Sequence, residues 1–228
     1  MRHTRHGSHL HQLTCLGLVN VYLVEEEDGL TLVDTGIAGS APAILKAART
    51  LGQPIRRIVL THAHVDHTGS LDALHVALPG VPVLLCAREA RLLRGERQLD
   101  PDEPQVPLRG GFQPSTVPVE PLHDGDQVGS LRVVATPGHS PGHIALLDTR
   151  DGTLIAGDAY HTVGGVTVVS ERRLLFPLPA LATWHAPTAL ATARRLAELN
   201  PTRLAPGHGR VIDRPVPAMR GALARLGG

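Results

Sequence analysis

Four potential metal donors crowd into six residues of this chain: His62, His64, Asp66 and His67. In an extended strand end, side chains two residues apart point to the same side, so His62 and His64 can face one centre. Asp66 and His67 follow where the chain should turn into a helix starting near Gly69, so the segment can serve one ion and a neighbouring one. A cluster of imidazoles without metal would need many hydrogen-bond acceptors nearby, and the segment offers few. Three further residues extend the set. His139 sits in Thr-Pro-Gly-His-Ser-Pro-Gly-His, a loop that its prolines and glycines hold tightly. Asp158 ends the apolar run Leu154–Ala156 plus Gly157, where a buried carboxylate is costly unless paired or bound to a cation. His208 stands between two glycines that leave the backbone free to present it. Nitrogen and oxygen donors of this kind suit two divalent ions, zinc first, with iron or manganese also compatible.

Two metals roughly 3.5–4 Å apart can share a water and lower its pKa from ~15.7 toward ~7. The expected activity is therefore hydrolysis, with a metal-bridging hydroxide attacking a polarised carbonyl. Asp66, both ligand and hydrogen-bond acceptor, would orient the nucleophile and pass a proton to the leaving group. Tyr160 or His161, just after Asp158, is a further guess for substrate contact.

The surrounding pattern must hold these residues at strand ends. Strand-like runs at Leu16–Val24 and Leu30–Val33 flank a charged turn, and the second leads into Asp34-Thr35-Gly36. A helix is expected from Ser40 to Leu51, with Ser40 as N-cap and Pro42 in the first turn. Ile55–Leu60 is a strand running into the histidine cluster, followed by a helix at Ser70–Leu78, a strand at Val81–Cys86 and a helix at Ala87–Arg94. The stretch from about 95 to 121 is rich in Pro and Gly and is expected to be a lid-like surface loop. Strands are expected next at Leu131–Ala135, Ile144–Asp148 and Thr153–Ala156. A helix over Ala180–Leu199, broken near Pro187, precedes a last strand at Arg203–Ala205. The halves echo each other: Leu-Val-Asp-Thr-Gly, a helix, a strand and a His cluster; then Leu-Ile-Ala-Gly-Asp, a helix, a strand and one His. Two ββαβ-type halves with polar strand ends would explain the echo.

The 228 residues suit one large domain or two fused halves, and 42% apolar residues are enough for a core, although aromatics are only 2%. Residues 1–11 carry His3, His6, His9 and His11, and a frayed, flexible terminus is preferred there over a metal site. One domain is expected over 12–228. A net charge of +1 gives no footprint for nucleic acid or an anionic membrane, so the expected partner is a small-molecule substrate. No apolar run is long enough to span a bilayer, and no apolar stretch after Arg2 and Arg5 suggests a signal peptide. Cys15 and Cys86 match no metal or redox spacing, so buried thiols in a reducing cytoplasm are expected. A homodimer is compatible with the sequence, though no residue argues for one.

The motifs in this order resemble the metallo-β-lactamase superfamily, from Val33-Asp34-Thr35-Gly36 to Pro206-Gly207-His208-Gly209. The resemblance implies an α+β fold, a four-layer αββα sandwich of two facing mixed β-sheets with helices outside. It implies that His62, His64 and His139 hold a first metal, that Asp66, His67 and His208 hold a second, and that Asp158 bridges. Asp34 would then be a structural strand-end residue, and His143 would support the site without binding metal. Asp in place of Cys at 158 points away from true β-lactamases, and His at 64 away from flavodiiron proteins. Only Arg210–Gly228 follows His208, which argues against a glutathione-binding extension of the glyoxalase II kind. Lactones, esters and thioesters remain, making the chain a lactonase or esterase in the broad sense. An alternative is an iron persulfide dioxygenase with His62, His139 and Asp158 on a single iron; a non-catalytic metal protein is a third.

Overall fold

The computed structural model describes residues 1–174 and 176–227, which fall into two compact units. The first comprises Met1–Glu96 and Phe112–Leu122; the second comprises Arg97–Gly111 and His123–Gly228. The stretch 12–228, expected as one domain, divides between two units, and so does the 95–121 stretch.

The first unit is a seven-stranded sheet in sequence order: β1 (Arg2–His6), β2 (Leu10–Cys15), β3 (Val19–Glu26), β4 (Gly29–Val33), β5 (Ile55–Val59), β6 (Val83–Cys86) and β7 (Glu120–Leu122). Neighbours are antiparallel up to β4 and parallel from β4 to β7. Parallel neighbours need a crossover, and α1 (Ala41–Leu51) supplies the one between β4 and β5. It buries Ala41, Ile44 and Ala48 along one face and ends at Gly52, whose φ of 70° closes the last turn. Ser40 takes the N-cap position as expected but makes no side-chain capping bond there; its N–H donates to Ser70 Oγ at 2.8 Å. Three short helices, α2 (Val65–Thr68), α3 (Leu71–Ala77) and α4 (Ala87–Leu93), complete the unit.

The N-terminal expectation is corrected. Residues 2–6 form the edge strand β1, paired with β2 from Arg2↔Thr14 to His6↔Leu10. Its polar composition reflects an edge position, and its histidines serve as cross-strand polar partners. His3 Nε2 lies 3.0 Å from His11 Nδ1, and His11 Nε2 lies 2.6 Å from Glu25 Oε1. That bond holds the Glu25 carboxyl below its usual range.

The second unit contains a six-stranded sheet ordered β15-β14-β11-β10-β9-β8 and a small antiparallel ribbon, β12–β13. These are β8 (Gln127–Val128), β9 (Leu131–Ala135), β10 (Ile144–Asp148), β11 (Thr153–Gly157), β12 (Tyr160–His161), β13 (Thr167–Val168), β14 (Arg203–Pro206) and β15 (Ile212–Asp213). The helix expected over Ala180–Leu199 is two helices, α5 (Leu178–Ala182) and α6 (Ala186–Glu198). Pro187 lies in the first turn of α6, where a missing N–H breaks no helical bond. A further helix, α7 (Val216–Ala224), packs Met219 and Leu223 into a core that includes Leu154, Tyr160, Leu196 and Leu204.

The sequence echo is a structural one. In each unit an antiparallel pair feeds a helical stretch and then a parallel strand: β3–β4, α1, β5 in the first; β10–β11, α5 and α6, β14 in the second. No helix among the described residues is long and apolar enough to cross a membrane.

Candidate metal centre

In the first unit, the end of β4 organises the donors. Asp34 follows Val33 with a φ of 61°, a left-handed backbone that costs a non-glycine residue energy. Its buried carboxylate accepts from Thr61 N–H at 2.7 Å, from the Thr61 hydroxyl at 2.9 Å and from His67 Nδ1 at 2.8 Å. Thr61 has one hydroxyl proton, given to Asp34, so its oxygen accepts from His62 Nδ1 at 3.0 Å. Both imidazoles thereby carry their proton on Nδ1 and turn a lone pair outward on Nε2, the form a metal requires. Asp34 is, as expected, a strand-end support.

The expectation for the following residues is sharpened. The helical turn begins at Val65, ahead of Gly69, with His64 as an extended N-cap and its carbonyl accepting from His67 and Thr68 N–H at 2.9 and 3.0 Å. Ring centroids are 4.7 Å apart for His62–His64 and 4.2 Å for His62–His67. Asp66 is the most open donor, with a side chain 34% exposed and Oδ2 3.8 Å from His67 Nε2. Gly69 permits this turn, because a Cβ there would stand 2.5 Å from the Ala38 nitrogen. From the far side the buried Glu89 of α4 accepts from Ala63 N–H at 2.8 Å, pinning the backbone between His62 and His64. Phe112, within the expected lid-like stretch, stacks edge-on against His64 at 4.9 Å.

In the second unit, three loops each deliver one donor. Asp158 follows β11, and its Oδ2 lies 3.4 Å from His139 Nε2 and 3.1 Å from His208 Nε2. Thr183 donates its hydroxyl to Pro179 O at 2.8 Å and accepts from His139 Nδ1 at 3.2 Å, so Nε2 of His139 again faces inward without the proton. The backbone of that loop is held by Trp184 N–H on His139 O and His185 N–H on Gly138 O, both 2.9 Å. Gly138 is required, because a Cβ there would lie 2.2 Å from the Ala189 nitrogen. His208 is placed by Gly207 N–H on Gly157 O at 2.7 Å and by its own carbonyl accepting from Thr162 N–H at 3.0 Å.

His143 supports the site. Its Nε2 accepts from Asp158 N–H at 2.9 Å, so its proton is on Nδ1, directed at Thr136 Oγ1 at 2.7 Å. Tyr160 does not meet the expectation of a substrate contact. It is buried in the core and donates its hydroxyl to Ala193 O at 2.7 Å; burial also pushes the phenol pKa up. His161 is buried too, and burial pushes its pKa down to about 4 against the opposing Asp158 charge.

Each cluster was thus assembled from expected donors: His62, His64, Asp66 and His67 in one unit; His139, Asp158 and His208 in the other. The supports Thr61, Thr136, Thr183 and Glu89 were not expected. The donor sets fit divalent metal: pinned Nδ1 atoms, outward Nε2 lone pairs, and a buried carboxylate oxygen facing an imidazole lone pair, an arrangement that a cation completes.

Comparison with known proteins agrees. The model of the metallo-beta-lactamase superfamily matches residues 16–208. The chain is 45% identical over 209 residues to "Uncharacterized protein YobT" of Bacillus subtilis, covering 91% of this chain and 90% of that one. It is 31% identical over 224 residues to "Probable metallo-hydrolase YflN" of the same organism, covering 88% and 83%. The crystal structure of TTHA1623 in a di-iron-bound form superposes with a TM-score of 0.68 at 30% identity, covering 91% of this chain and 95% of that one. The chain belongs to the metallo-β-lactamase superfamily and has its α+β fold.

Proposed function

We propose that the chain is a binuclear metallohydrolase acting on a small carbonyl substrate, a lactone, ester or thioester. His62, His64 and His139 would hold one ion and Asp66, His67 and His208 the other, with the Asp158 carboxylate shared. The observation that carries this is the common orientation of His62, His67 and His139, each with Nδ1 anchored and Nε2 presented. Zinc suits the donors, and the di-iron form of TTHA1623 makes iron the first alternative. Two bound ions supply an activated water and polarise a carbonyl.

The protein's own part is positional. Asp34 and Thr61 fix two imidazoles in one tautomer, and Thr183 fixes a third. His143 fixes the backbone that carries Asp158. Asp66, the donor most open to solvent, would accept the proton that the attacking water gives up and pass it to the leaving group. Residues 95–121, with Phe112 against His64, border the substrate and set selectivity. Both cysteines are free thiols, which suits the proposed cytoplasmic setting.

The test pairs metal analysis of protein purified without added metal with a panel of lactones, thioesters, aryl esters and phosphodiesters. About two ions per chain together with ester or lactone turnover is the expected result. One iron per chain with oxygen consumption on a persulfide would replace hydrolysis by dioxygenation.

A further inference from the structure

Between α1 and the β1–β2 edge of the first unit's sheet lies a cavity of about 310 Å³ that no proposed metal donor lines. Its helix wall is Ala43, Lys46, Ala47 and Thr50, one stripe at spacings of three and four residues. The two alanines leave room that larger side chains would fill. Its sheet wall includes His3 and Leu13, a directly opposed pair of β1 and β2. Lys46 is the only lysine of the chain, and its ammonium has no ion-pair or hydrogen-bond partner among the described residues. No acidic side chain is among the lining residues, so the cavity presents positive charge.

Behind His3 runs a line of hydrogen bonds across three strands. Strand pairing puts His3, His11 and Glu25 on one face of the sheet. His3 Nε2 lies 3.0 Å from Nδ1 of the buried His11, whose Nε2 donates to Glu25 Oε1 at 2.6 Å. That bond, with Arg5 at 3.6 Å, keeps the Glu25 carboxylate ionised, so His11 carries its proton on Nε2. With both rings neutral, His11 Nδ1 accepts from His3 Nε2, and His3 Nδ1 is left as a lone pair without a partner among the described residues. A proton added to the pair ends on that Nδ1, whether the charge stays on His3 or passes to His11 beside Glu25. Burial and the neighbouring His11 hold the His3 pKa below its usual value, so the empty site resists the proton. An anion in the cavity would supply the missing counter-charge, accepting from Nδ1–H beside the Lys46 ammonium.

One ammonium and one imidazole match a singly charged head, and Leu13, Ala43 and Ala47 match a carbon body. We propose that this cavity binds a small organic carboxylate, which on binding brings one proton to His3. Around His3 the charged and titratable groups are His11 from β2, Glu25 from β3, Lys46 from α1 and Arg5 on its own strand. A doubly charged phosphate would leave charge unmatched and the apolar wall uncovered. The site is independent of the hydrolase reading.

The experiment uses the zinc-loaded full chain, its lysine dimethylated with isotope-labelled formaldehyde, which keeps the charge. With one lysine present, the ε-dimethylammonium signal reports this cavity. Benzoate is the probe, benzamide its neutral isostere and inorganic phosphate the rival anion. Benzoate should shift the signal saturably in the millimolar range. Its affinity should rise as pH falls from 8 to 6, by at most about tenfold per unit, the limit for one proton taken up. Benzamide and phosphate should bind about fivefold more weakly or less. His3→Phe should remove the pH dependence. By calorimetry, Lys46→Met should weaken benzoate about fivefold, and Lys46→Arg should restore it. A lysine signal that benzoate never moves, even where calorimetry records binding, puts the carboxylate on the metal cluster and overturns the site. Benzamide or phosphate binding as tightly as benzoate overturns the choice of a carboxylate. A pH dependence that survives His3→Phe overturns the proton uptake at His3.

Discussion

The two units present donors by the same device, a buried aspartate just past a strand, but they use it differently. In the first unit Asp34 is a scaffold: it touches Thr61 and His67, and the donors themselves lie in one stretch of six residues. In the second unit the corresponding aspartate, Asp158, is itself a proposed donor, and its partners His139 and His208 arrive on loops 19 and 50 residues away in the chain. The first cluster is preorganised by local backbone geometry. The second depends on three loops being held in place by Thr183, Trp184, His143 and Gly157. Each cluster should therefore be most sensitive at its aspartate, the dispersed one at Asp158, the hub where its partners converge, and the compact one at the scaffold Asp34, while single supports of the loops matter less.

That difference is broken most directly at the hub. Asp158→Ala should lower kcat on the order of 10³-fold, the scale for removing one group that stabilises reacting charge, and should reduce bound metal in plasma emission analysis. Full metal content and turnover in that variant would remove Asp158 from the centre.

Next in size is the scaffold in the first unit. Asp34→Asn keeps a residue that accepts the left-handed backbone but turns one acceptor oxygen into an N–H donor facing Thr61 or His67, so metal affinity should fall about 10- to 100-fold. Asp34→Ala loses the acceptor of Thr61 and His67 as well, and should cost a further ~1–3 kcal/mol in urea unfolding. Equal stability of the two variants would mean that the acceptor kept by asparagine contributes nothing to the fold. Thr183→Val in the second unit should be milder, about tenfold in metal affinity, because one hydrogen bond to His139 is lost while the backbone bond from Trp184 remains.

The same contrast governs what could be read from the sequence. His62, His64, Asp66 and His67 were legible because a local cluster shows as a local motif. His139, Asp158 and His208 were legible as loop residues flanked by Gly and Pro, with their grouping supplied by resemblance. Thr183 and Glu89 were not, since a threonine 44 residues from His139 or a glutamate 26 residues from Ala63 carries no sign of its partner. The hairpin β1–β2 was missed because an edge strand has one solvated side and reads as polar. In α7, Met219, Ala222 and Leu223 keep helical spacing, but Pro215, Pro217 and Gly221 obscure it. The breadth of the echo between halves was legible only as pattern, because topology repeats where side chains do not.

The smallest expected effect concerns pH, and it separates the units again, because His161 belongs to the second. Burial holds its pKa at about 4, below the ordinary 6.5. At high pH the imidazole is neutral in both folded and unfolded chains and contributes no pH dependence. As pH falls below about 6.5 the unfolded chain takes up a proton that the folded protein refuses until about 4, so stability declines across that window and levels off beneath it. His161→Phe removes the group that refuses the proton. Its urea midpoint, followed from pH 7 to pH 4, should decline less than that of the unaltered protein, with the two curves converging in shape above pH 7. Parallel curves through the whole window would place the acid sensitivity elsewhere, on groups of the donor clusters themselves.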